Sequence, residues 1–458
     1  MDNYLEFLAN KTPRAAPAGI EPSRMPAHLA DFQQHCTEFA LRQGRAALFL
    51  DTGLGKTRQQ LEWCKQAAAA NNGRALILTP LAVARQIEAE GLALGYDVRV
   101  IREQSDVLPG INICNYDRLD KLDAGVFGAV SLDESSILKS MNGATTRALI
   151  EKFYDTHFKL CATATPAPND HMALGQHAEF LGVMKSSEML MRWFINDTST
   201  ASQQWRLKRH GERDFWDWVA SWARCAGNPA DLGFDGSAYV LPPLRLHRHR
   251  ALGDVRAPAG ALFVEDMSAT NIHQVKRQTA DARADAVAAL INDEPDEAWV
   301  VWCDTDYEAD ALARALPDAV EVRGSSAIEK KEAGLADFAT GARKVIITKP
   351  SVAGQGLNWQ HCARVAFVGR TFSYEAWYQA VRRCWRFGQT RPVEVHIIVA
   401  EGEDQIGRVI DRKAEGHAAM KLAMANAMRR NIGRDAAKSA PYNPQYIGRL
   451  PSWLQSAA

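Results

Sequence analysis

Short apolar runs separated by longer helical stretches recur along the first part of the chain. Each run is bounded by turn residues, and the stretch from Thr57 to about Ala70, between the first two runs, has a helical composition. Runs of this length that are apolar throughout are typical of strands buried on both faces. The pattern therefore predicts a parallel sheet covered by helices. The five runs are Ala47–Leu50, Ala75–Leu78, Ile111–Cys114, Ala129–Leu132 and Lys159–Ala162.

A second series of strands begins further along the chain, after a region of different composition. Residues 185–255 are rich in tryptophan and arginine and show little strand alternation, which favours a helical insert. The runs that follow are again short and apolar, so we predict an α/β protein with two tandem parallel-sheet domains. These later runs are Ala298–Cys303, Val345–Thr348, Val365–Val368 and Val393–Val399.

The shifts in composition divide the chain into five predicted segments. Four prolines within residues 11–26 indicate an irregular leader, and an Ala- and Met-rich stretch to about Arg430 indicates a helical tail. A length of 458 residues is consistent with two or three domains. The segments are the leader 1–26, the first domain 27–184, the helical insert 185–255, the second domain 256–414 and the tail 415–458.

Composition and charge argue against several classes of protein. Lys plus Arg and Asp plus Glu both number 54, whereas a small passive DNA-binding module is normally basic, so nucleic-acid binding must come from a local groove. No apolar run approaches the roughly 20 residues that span a bilayer, and residues 1–11 lack the apolar core of a secretory signal. The eight scattered cysteines form no Cys-x-x-Cys pair, which argues against a zinc ribbon or disulfide framework and favours the cytoplasm.

Candidate chemistry begins with the glycine loop that follows the first apolar run. The loop reads Asp51-Thr52-Gly53-Leu54-Gly55-Lys56-Thr57 and stands between a predicted strand and a helix. Glycines let the backbone approach phosphates closely, so that its N–H groups face the anion. Lys56 is expected to reach the β- and γ-phosphates of a nucleotide, and Thr57 to offer its hydroxyl to magnesium. Leu50 stands where the longer phosphate-loop pattern has its first glycine, so the motif has the shorter Gly-x-Gly-Lys-Thr form.

An acidic pair stands at the end of another apolar run. Asp133 and Glu134 follow Ala129–Leu132, about 77 residues after Lys56, and are predicted to lie at an edge of the same sheet. Asp133 is expected to hold magnesium through water, and Glu134 to orient and deprotonate the attacking water.

Over residues 28–412 the motifs resemble those of the superfamily-two helicases, and among them the Swi/Snf-type ATP-dependent DNA translocases. Gln33 resembles the family's glutamine that reads the adenine edge. The strand that ends in Thr79-Pro80 is similar to the element that contacts the tracking strand. Thr163-Ala164-Thr165-Pro166, with Asn169, resembles the Thr-Gly-Thr-Pro-x-x-Asn segment that couples the two activities.

The resemblance extends to the second domain. Ala353-Gly354-Gln355-Gly356-Leu357-Asn358 resembles the family's glycine-rich segment, which implies a nucleotide contact for Gly356 and a coupling role for Asn358. The predicted helix 379–389 matches Gln-Ala-x-x-Arg-x-x-Arg-x-Gly-Gln at every fixed position, beginning at Gln379, which is expected to bind the cofactor. Its spacing places Arg383 and Arg386 about one turn apart on one face. The family resemblance implies that both act as arginine fingers on ATP bound to the first domain.

One position departs from the family pattern. Ser135 and Ser136 follow the acidic pair and replace the histidine that couples hydrolysis to the nucleic acid in the family. The resemblance still implies RecA-like domains, ATP and Mg²⁺ as cofactors, and a motor that translocates on or remodels DNA, with duplex favoured. Two alternatives stay open: an RNA or single-strand helicase, and a nucleotide-dependent clamp on DNA or a partner with little turnover. The sequence carries no nuclease or methyltransferase signature, so accessory proteins would supply any such chemistry.

Overall fold

The computed structural model describes residues 13–140, 143–168, 171–197, 204–251, 275–354, 357–399 and 404–439. The first half folds around a sheet of seven parallel strands, and two further strands form a separate antiparallel hairpin. The strands are β1 (Arg45–Leu50), β2 (Arg74–Thr79), β3 (Val98–Val100), β4 (Gly110–Asn115), β5 (Ala129–Asp133), β6 (Phe158–Ala162), β7 (Phe194–Asp197), β8 (Gln204–Leu207) and β9 (Ala223–Ala226). The order across the sheet is β3-β4-β2-β5-β6-β1-β9, with β7 and β8 forming the hairpin.

Helices cover both faces of this sheet, as expected for strands that are apolar throughout. The helix after β1 begins beside Gly55, whose left-handed backbone (φ 74°) ends the glycine loop. Its side chains Leu61 and Trp63 are fully buried against the sheet. The helices of this half are α1 (Asp31–Gln43), α2 (Lys56–Ala69), α3 (Ala84–Ala93), α4 (Ala144–Lys152), α5 (Ala173–Leu181), α6 (Ser186–Trp193) and α7 (Glu212–Trp222).

The segment predicted to be a helical insert, residues 185–255, has a different structure. It contains α6 and α7, but also the β7–β8 hairpin and β9, which pairs with β1 at the edge of the first sheet. Its last strand, β10 (Leu244–Arg250), joins the second sheet. β9 has only four residues, and its Arg224 is buried with the guanidinium over the ring of Phe39, so its pattern does not read as a strand. The first sheet therefore extends to Ala226, past the boundary predicted at residue 184.

The second half folds around six parallel strands in the order β10-β15-β14-β11-β13-β12. Two parallel sheets with covering helices confirm the predicted α/β fold with two tandem domains. The strands after β10 are β11 (Trp299–Trp302), β12 (Val320–Val322), β13 (Val345–Thr348), β14 (Arg364–Phe367) and β15 (Val393–Val399). The helices are α8 (Ala280–Asp293), α9 (Asp306–Ala315), α10 (Ile328–Ala339), α11 (Pro350–Ala353) and α12 (Tyr374–Val381).

The last element of the described residues is one long helix that contacts both domains. This helix, α13 (Asp404–Ser439), has 36 residues and begins before residue 415, where the tail was predicted to start. Near its start, Ile406 and Ile410 pack in one apolar cluster with residues of α12. Further along, Met424 and Met428 are buried in the core of the first domain. Across the described part of the chain, the helices are too short or too polar to cross a membrane.

Candidate active site

The glycine loop between β1 and α2 has a backbone that only glycine adopts without strain at two positions. Gly53 and Gly55 have φ of 88° and 74°. A Cβ at Gly55 would lie 2.2 Å from Nε2 of Gln33, so the side chain of α1 and the loop are in close contact. Lys56 Nζ donates to the carbonyls of Leu50 at 2.8 Å and Asp51 at 3.2 Å. These two hydrogen bonds hold the ammonium group of Lys56 beside a loop whose backbone is suited to bind an anion.

Both the nitrogen and the oxygen of the Gln33 side-chain amide form hydrogen bonds with backbone groups. Its Nε2 donates to the carbonyl of Leu54 at 3.1 Å, and its Oε1 accepts from the N–H of Ala30 at 3.0 Å. The side chain of Leu54 is buried in the core, with 2% of its surface exposed. The nucleotide contact predicted for Leu54 is therefore limited to its backbone atoms in the loop. Gln33 therefore fixes the position of the glycine loop relative to α1.

Asp133 lies at the end of β5 and is oriented by two side chains of its own domain. Its Oδ1 accepts from Nε2 of Gln60 and its Oδ2 from Oγ1 of Thr79, both at 3.0 Å. Thr79 was predicted to contact nucleic acid, but it is fully buried and contacts the carboxylate instead. Pro80, the next residue, is only partly buried and begins the turn into α3.

Glu134 follows with a left-handed backbone (φ 51°), a conformation that costs a residue other than glycine about 1–3 kcal/mol. Thr163 Oγ1 donates to its Oε2 at 3.2 Å and accepts from the N–H of Thr165, and both threonines are fully buried. Burial raises the pKa of Glu134, as does the neighbouring carboxylate of Asp133. The threonine segment therefore contacts the acidic pair directly; Asn169 lies outside the described residues.

A buried histidine contacts one of the two serines that depart from the family pattern. Oγ of Ser135 lies 3.2 Å from Nε2 of His177, and Nδ1 of His177 lies 2.9 Å from the carbonyl of Ala173. Since Nδ1–H donates to that carbonyl, Nε2 accepts from the serine hydroxyl. Burial lowers the pKa of His177 to about 4, so the ring is neutral. His177 is 42 residues from Ser135, and no sequence pattern connects the two.

The arginines of the second domain do not lie on a continuing helix. α12 ends at Val381, and turns follow through Gly388, so the predicted helix 379–389 is shorter than expected. The two side chains still converge, because Nη1 of Arg383 and Nη1 of Arg386 both donate to the carbonyl of Leu357 at 3.2 Å. Burial lowers the pKa of Arg386 to about 10, with Arg383 acting in the same direction.

One cavity of about 350 Å³ brings most of the predicted site residues together. Gln379 instead lines a different cavity of about 220 Å³, with Lys139 and Glu375, whose side chains form an ion pair at 2.6 Å. Gly356 lies outside the described residues. The predicted residues around the first cavity are Gln33, Thr52, Gly53, Gly55, Lys56, Thr57, Asp133, Glu134, Asn358, Arg383 and Arg386.

Two aromatic residues at this cavity were not predicted. Tyr239 stacks on Phe387, with ring centroids 4.7 Å apart and an interplanar angle of 24°. Tyr239 also meets the edge of Phe32 in α1. The stack joins the segment after β9 to the arginine turn of the second domain. No signal in the sequence indicated it, because Tyr239 stands outside the motifs and Phe387 occupies a variable position of the arginine motif.

Residues 282–388 match the family of helicase conserved C-terminal domains. This part of the second domain is similar to the C-terminal domains of helicases. The match includes the arginine turn with Arg383 and Arg386. Over 157 residues the chain is also 30% identical to the SWI/SNF-related matrix-associated actin-dependent regulator of chromatin subfamily A-like protein 1 of Xenopus tropicalis. These two matches confirm the resemblance to Swi/Snf-type superfamily-two helicases.

The match to the Xenopus protein covers 32% of this chain and 16% of that relative, so this chain spans only a small part of the relative's length. Among solved structures, the chain is similar to the Sulfolobus solfataricus SWI2/SNF2 ATPase core in complex with dsDNA. The TM-score is 0.40 at 15% sequence identity, covering 91% of this chain and 97% of the other.

Proposed function

We propose that this protein is an ATP-dependent motor of the helicase type that translocates on or remodels duplex DNA, with ATP bound between its two domains. The observation that carries the proposal is the shared cavity. Lys56 and the acidic pair enter it from the first domain, and Arg383 and Arg386 enter it from the second. A nucleotide that contacts both sides would favour the closed arrangement of the domains, and loss of the nucleotide would allow the domains to separate.

The residues around the cavity fit a nucleotide triphosphate and magnesium. The loop glycines and the start of α2 offer N–H groups to phosphates, and Nε of Arg386 is buried without an acceptor. Asp133 and Thr57 are the oxygen donors suited to hold magnesium. When bound, the metal would neutralise phosphate charge in the reaction.

The protein groups have separable roles in the proposed hydrolysis. Glu134 takes a proton from the attacking water, because its raised pKa makes it a stronger base than an exposed carboxylate. Lys56 contacts the phosphates from the loop, and Arg383 and Arg386 stabilise the charge that develops on the transferred group. Thr163 senses Glu134 through its hydrogen bond, which makes the 163–165 segment the proposed route of coupling to the nucleic acid.

Duplex DNA is the substrate that the motifs favour over RNA or a single strand. The Xenopus relative is named as a regulator of chromatin, which agrees with this choice. Pro80 and Asn358 remain our candidates for elements that respond to the nucleic acid, and accessory proteins the proposed source of further chemistry. We also propose a cytoplasmic location, which is supported by eight cysteines that are all buried and free of disulfide bonds.

ATPase assays with duplex DNA, single-stranded DNA and RNA at stated salt test the proposal, since phosphate contacts weaken with salt. We expect the strongest stimulation by the duplex. Lys56→Ala should lower the stimulated rate by about 100-fold or more, whereas Lys65→Ala, on the exposed side of the same helix, should leave it unchanged. Equal stimulation by RNA would favour the helicase alternative, and ATP-dependent binding without turnover would favour the clamp.

A further inference from the structure

The carboxylate of Asp51, at the start of the glycine loop, is a meeting point of three structural elements. It accepts a hydrogen bond from the hydroxyl of Tyr378 in α12. It also accepts one from Nζ of Lys421 in α13, which lies 2.9 Å from its Oδ2. It also accepts from the N–H of Thr52 at 2.7 Å, so the side chain fixes the backbone of the loop. Asp51 is 9% exposed, and these bonds leave little of it to water.

Arg382 connects the second domain to the loop at the same place. One of its Nη2 contacts is the carboxylate of Asp51 at 2.8 Å, and another is the carbonyl of Thr52 at 3.2 Å. Its Nε also donates to the hydroxyl of Thr52. Arg382 precedes Arg383 directly, so the arginine turn that faces the cavity also holds the loop behind it.

Lys421 reaches Asp51 from a helix that is anchored in the first domain. Met420 and Met424, on either side of it, are buried in the first domain's core. Further along, Arg430 pairs with the buried Asp217 of α7 at 2.8 Å. Lys421 is therefore carried by a part of α13 that packs on the first domain, whereas Tyr378 and Arg382 belong to the second domain.

The carboxylate of Asp51 lies between two cations, Arg382 from the second domain and Lys421 from α13. Burial alone would raise the pKa of Asp51, but Arg382 and Lys421 outweigh it and hold the pKa below its ordinary value. A buried carboxylate with several charge-assisted bonds is strongly oriented. The loop is consequently held by one partner from α13, Lys421, and by two partners from the second domain, Tyr378 and Arg382.

We propose that Lys421, Tyr378 and Arg382 are positioning residues that set the glycine loop through Asp51 and Thr52. Lys421 holds the loop at all times, and the other two report closure of the second domain to it. The relevance to catalysis rests on the proposed ATP hydrolysis, but the effect on the loop does not.

Hydrogen exchange of the amides of residues 51–57 in the nucleotide-free protein tests the inference. Lys421→Met should speed their exchange about tenfold, the low end for loss of a hydrogen bond to a charged group. Lys421→Arg should restore protection. Arg429→Met is the matched control, because Arg429 lies on the same helix and pairs with Asp231 of the first domain at 3.2 Å, away from the loop.

Asp51→Asn is a second variant, of unchanged shape, in case Lys421→Met fails to fold. Adding Lys421→Met to Asp51→Asn should give no further increase, since both act through one carboxylate. In ATPase assays, Lys421→Met should lower kcat about fivefold to tenfold with KM for ATP changed less than about twofold. Unchanged exchange in Lys421→Met or Asp51→Asn would overturn the inference. Faster exchange in a protein without ATPase activity would support the loop contact and overturn the proposed function instead.

Discussion

The two sides of the cavity are held in different ways. In the first domain, each acidic group has a side-chain partner of its own domain: Gln60 and Thr79 bond Asp133, and Thr163 bonds Glu134. In the second domain, Arg383 and Arg386 are held by neutral backbone carbonyls. Within the described ranges, neither arginine forms an ion pair with a carboxylate.

The difference shows which side needs the ligand. A hydrogen-bonded carboxylate is oriented before anything binds, so the first domain carries a largely completed site. A buried cation outside an ion pair is costly, and burial lowers the pKa of both arginines more than the nearby carboxylates, Glu134 for Arg383 and Glu90 for Arg386, raise it. An anion between the domains would relieve that cost. We call Arg383 and Arg386 the arginine side of the cavity, and Asp133 and Glu134 the acid side. We infer that the arginine side provides the free energy that favours closure around an anion, whereas the acid side provides the fixed geometry.

Removal of an arginine should have the largest effect and tests the difference between the two sides most directly. Arg383→Ala should lower the DNA-stimulated kcat by about 10³- to 10⁵-fold, because charge on the transferred phosphoryl group is left without its partner. Binding of ATP should weaken far less, since the acid side is complete. The measurement is single-turnover hydrolysis together with nucleotide binding.

The thermal stability of the same variant sharpens the comparison. Since Arg383 forms no ion pair with a carboxylate among the described residues, its removal should change the free energy of unfolding by less than about 1 kcal/mol, with lost hydrogen bonds offset by relief of a buried charge. Arg391→Ala is the control, as its side chain is partly exposed and pairs with Glu297 outside the cavity. Destabilisation of several kcal/mol would show that Arg383 has a structural role instead.

A change on the acid side should have the next largest effect and its own pH signature. Glu134→Gln should lower kcat by about 10²- to 10⁴-fold, the usual contribution of a general base. Burial and Asp133 raise the pKa of Glu134 from 4.5. The base works only when deprotonated, so kcat/KM should rise with pH through a midpoint above 4.5. The profile in the wild type and its loss in Glu134→Gln provide the test, and a midpoint at or below 4.5 would contradict the role.

The local chemistry could be read from sequence because each motif sits where the fold must place it. Parallel strands end at a common edge, so groups that follow β1 and β5, such as Lys56 and Asp133, meet there. The spacing of Arg383 and Arg386 brought their side chains to one carbonyl even though the helix ends at Val381. These predictions needed only the direction of a strand or turn.

Contacts between distant segments could not be read in the same way. β9, with four residues, and β10, with seven, are edge strands whose basic residues hide the alternation, so the segment between the domains looked helical. Lys421 meets Asp51 across 370 residues, and His177 meets Ser135 without any spacing rule. Gln379 matched its motif but turns toward Glu375, because the packing of α12 decides its direction.

The smallest expected effect tests whether the acid side depends on its buried hydrogen bonds. Thr79→Val keeps the shape of a fully buried residue but removes the hydroxyl that donates to Asp133 at 3.0 Å. Loss of a hydrogen bond to a charged group costs about 1.5–3 kcal/mol, so the proposed magnesium site should weaken about tenfold.

The midpoint of kcat against Mg²⁺ concentration measures this effect, and excess Mg²⁺ should restore much of the rate. Thr79→Ser keeps the donor and should leave the midpoint near that of the wild type. The same midpoint in Thr79→Val would mean that Gln60 alone orients Asp133. The orientation of Asp133 would then not depend on the hydroxyl of Thr79. The acid side and the arginine side would differ in charge, and not in how firmly their side chains are oriented.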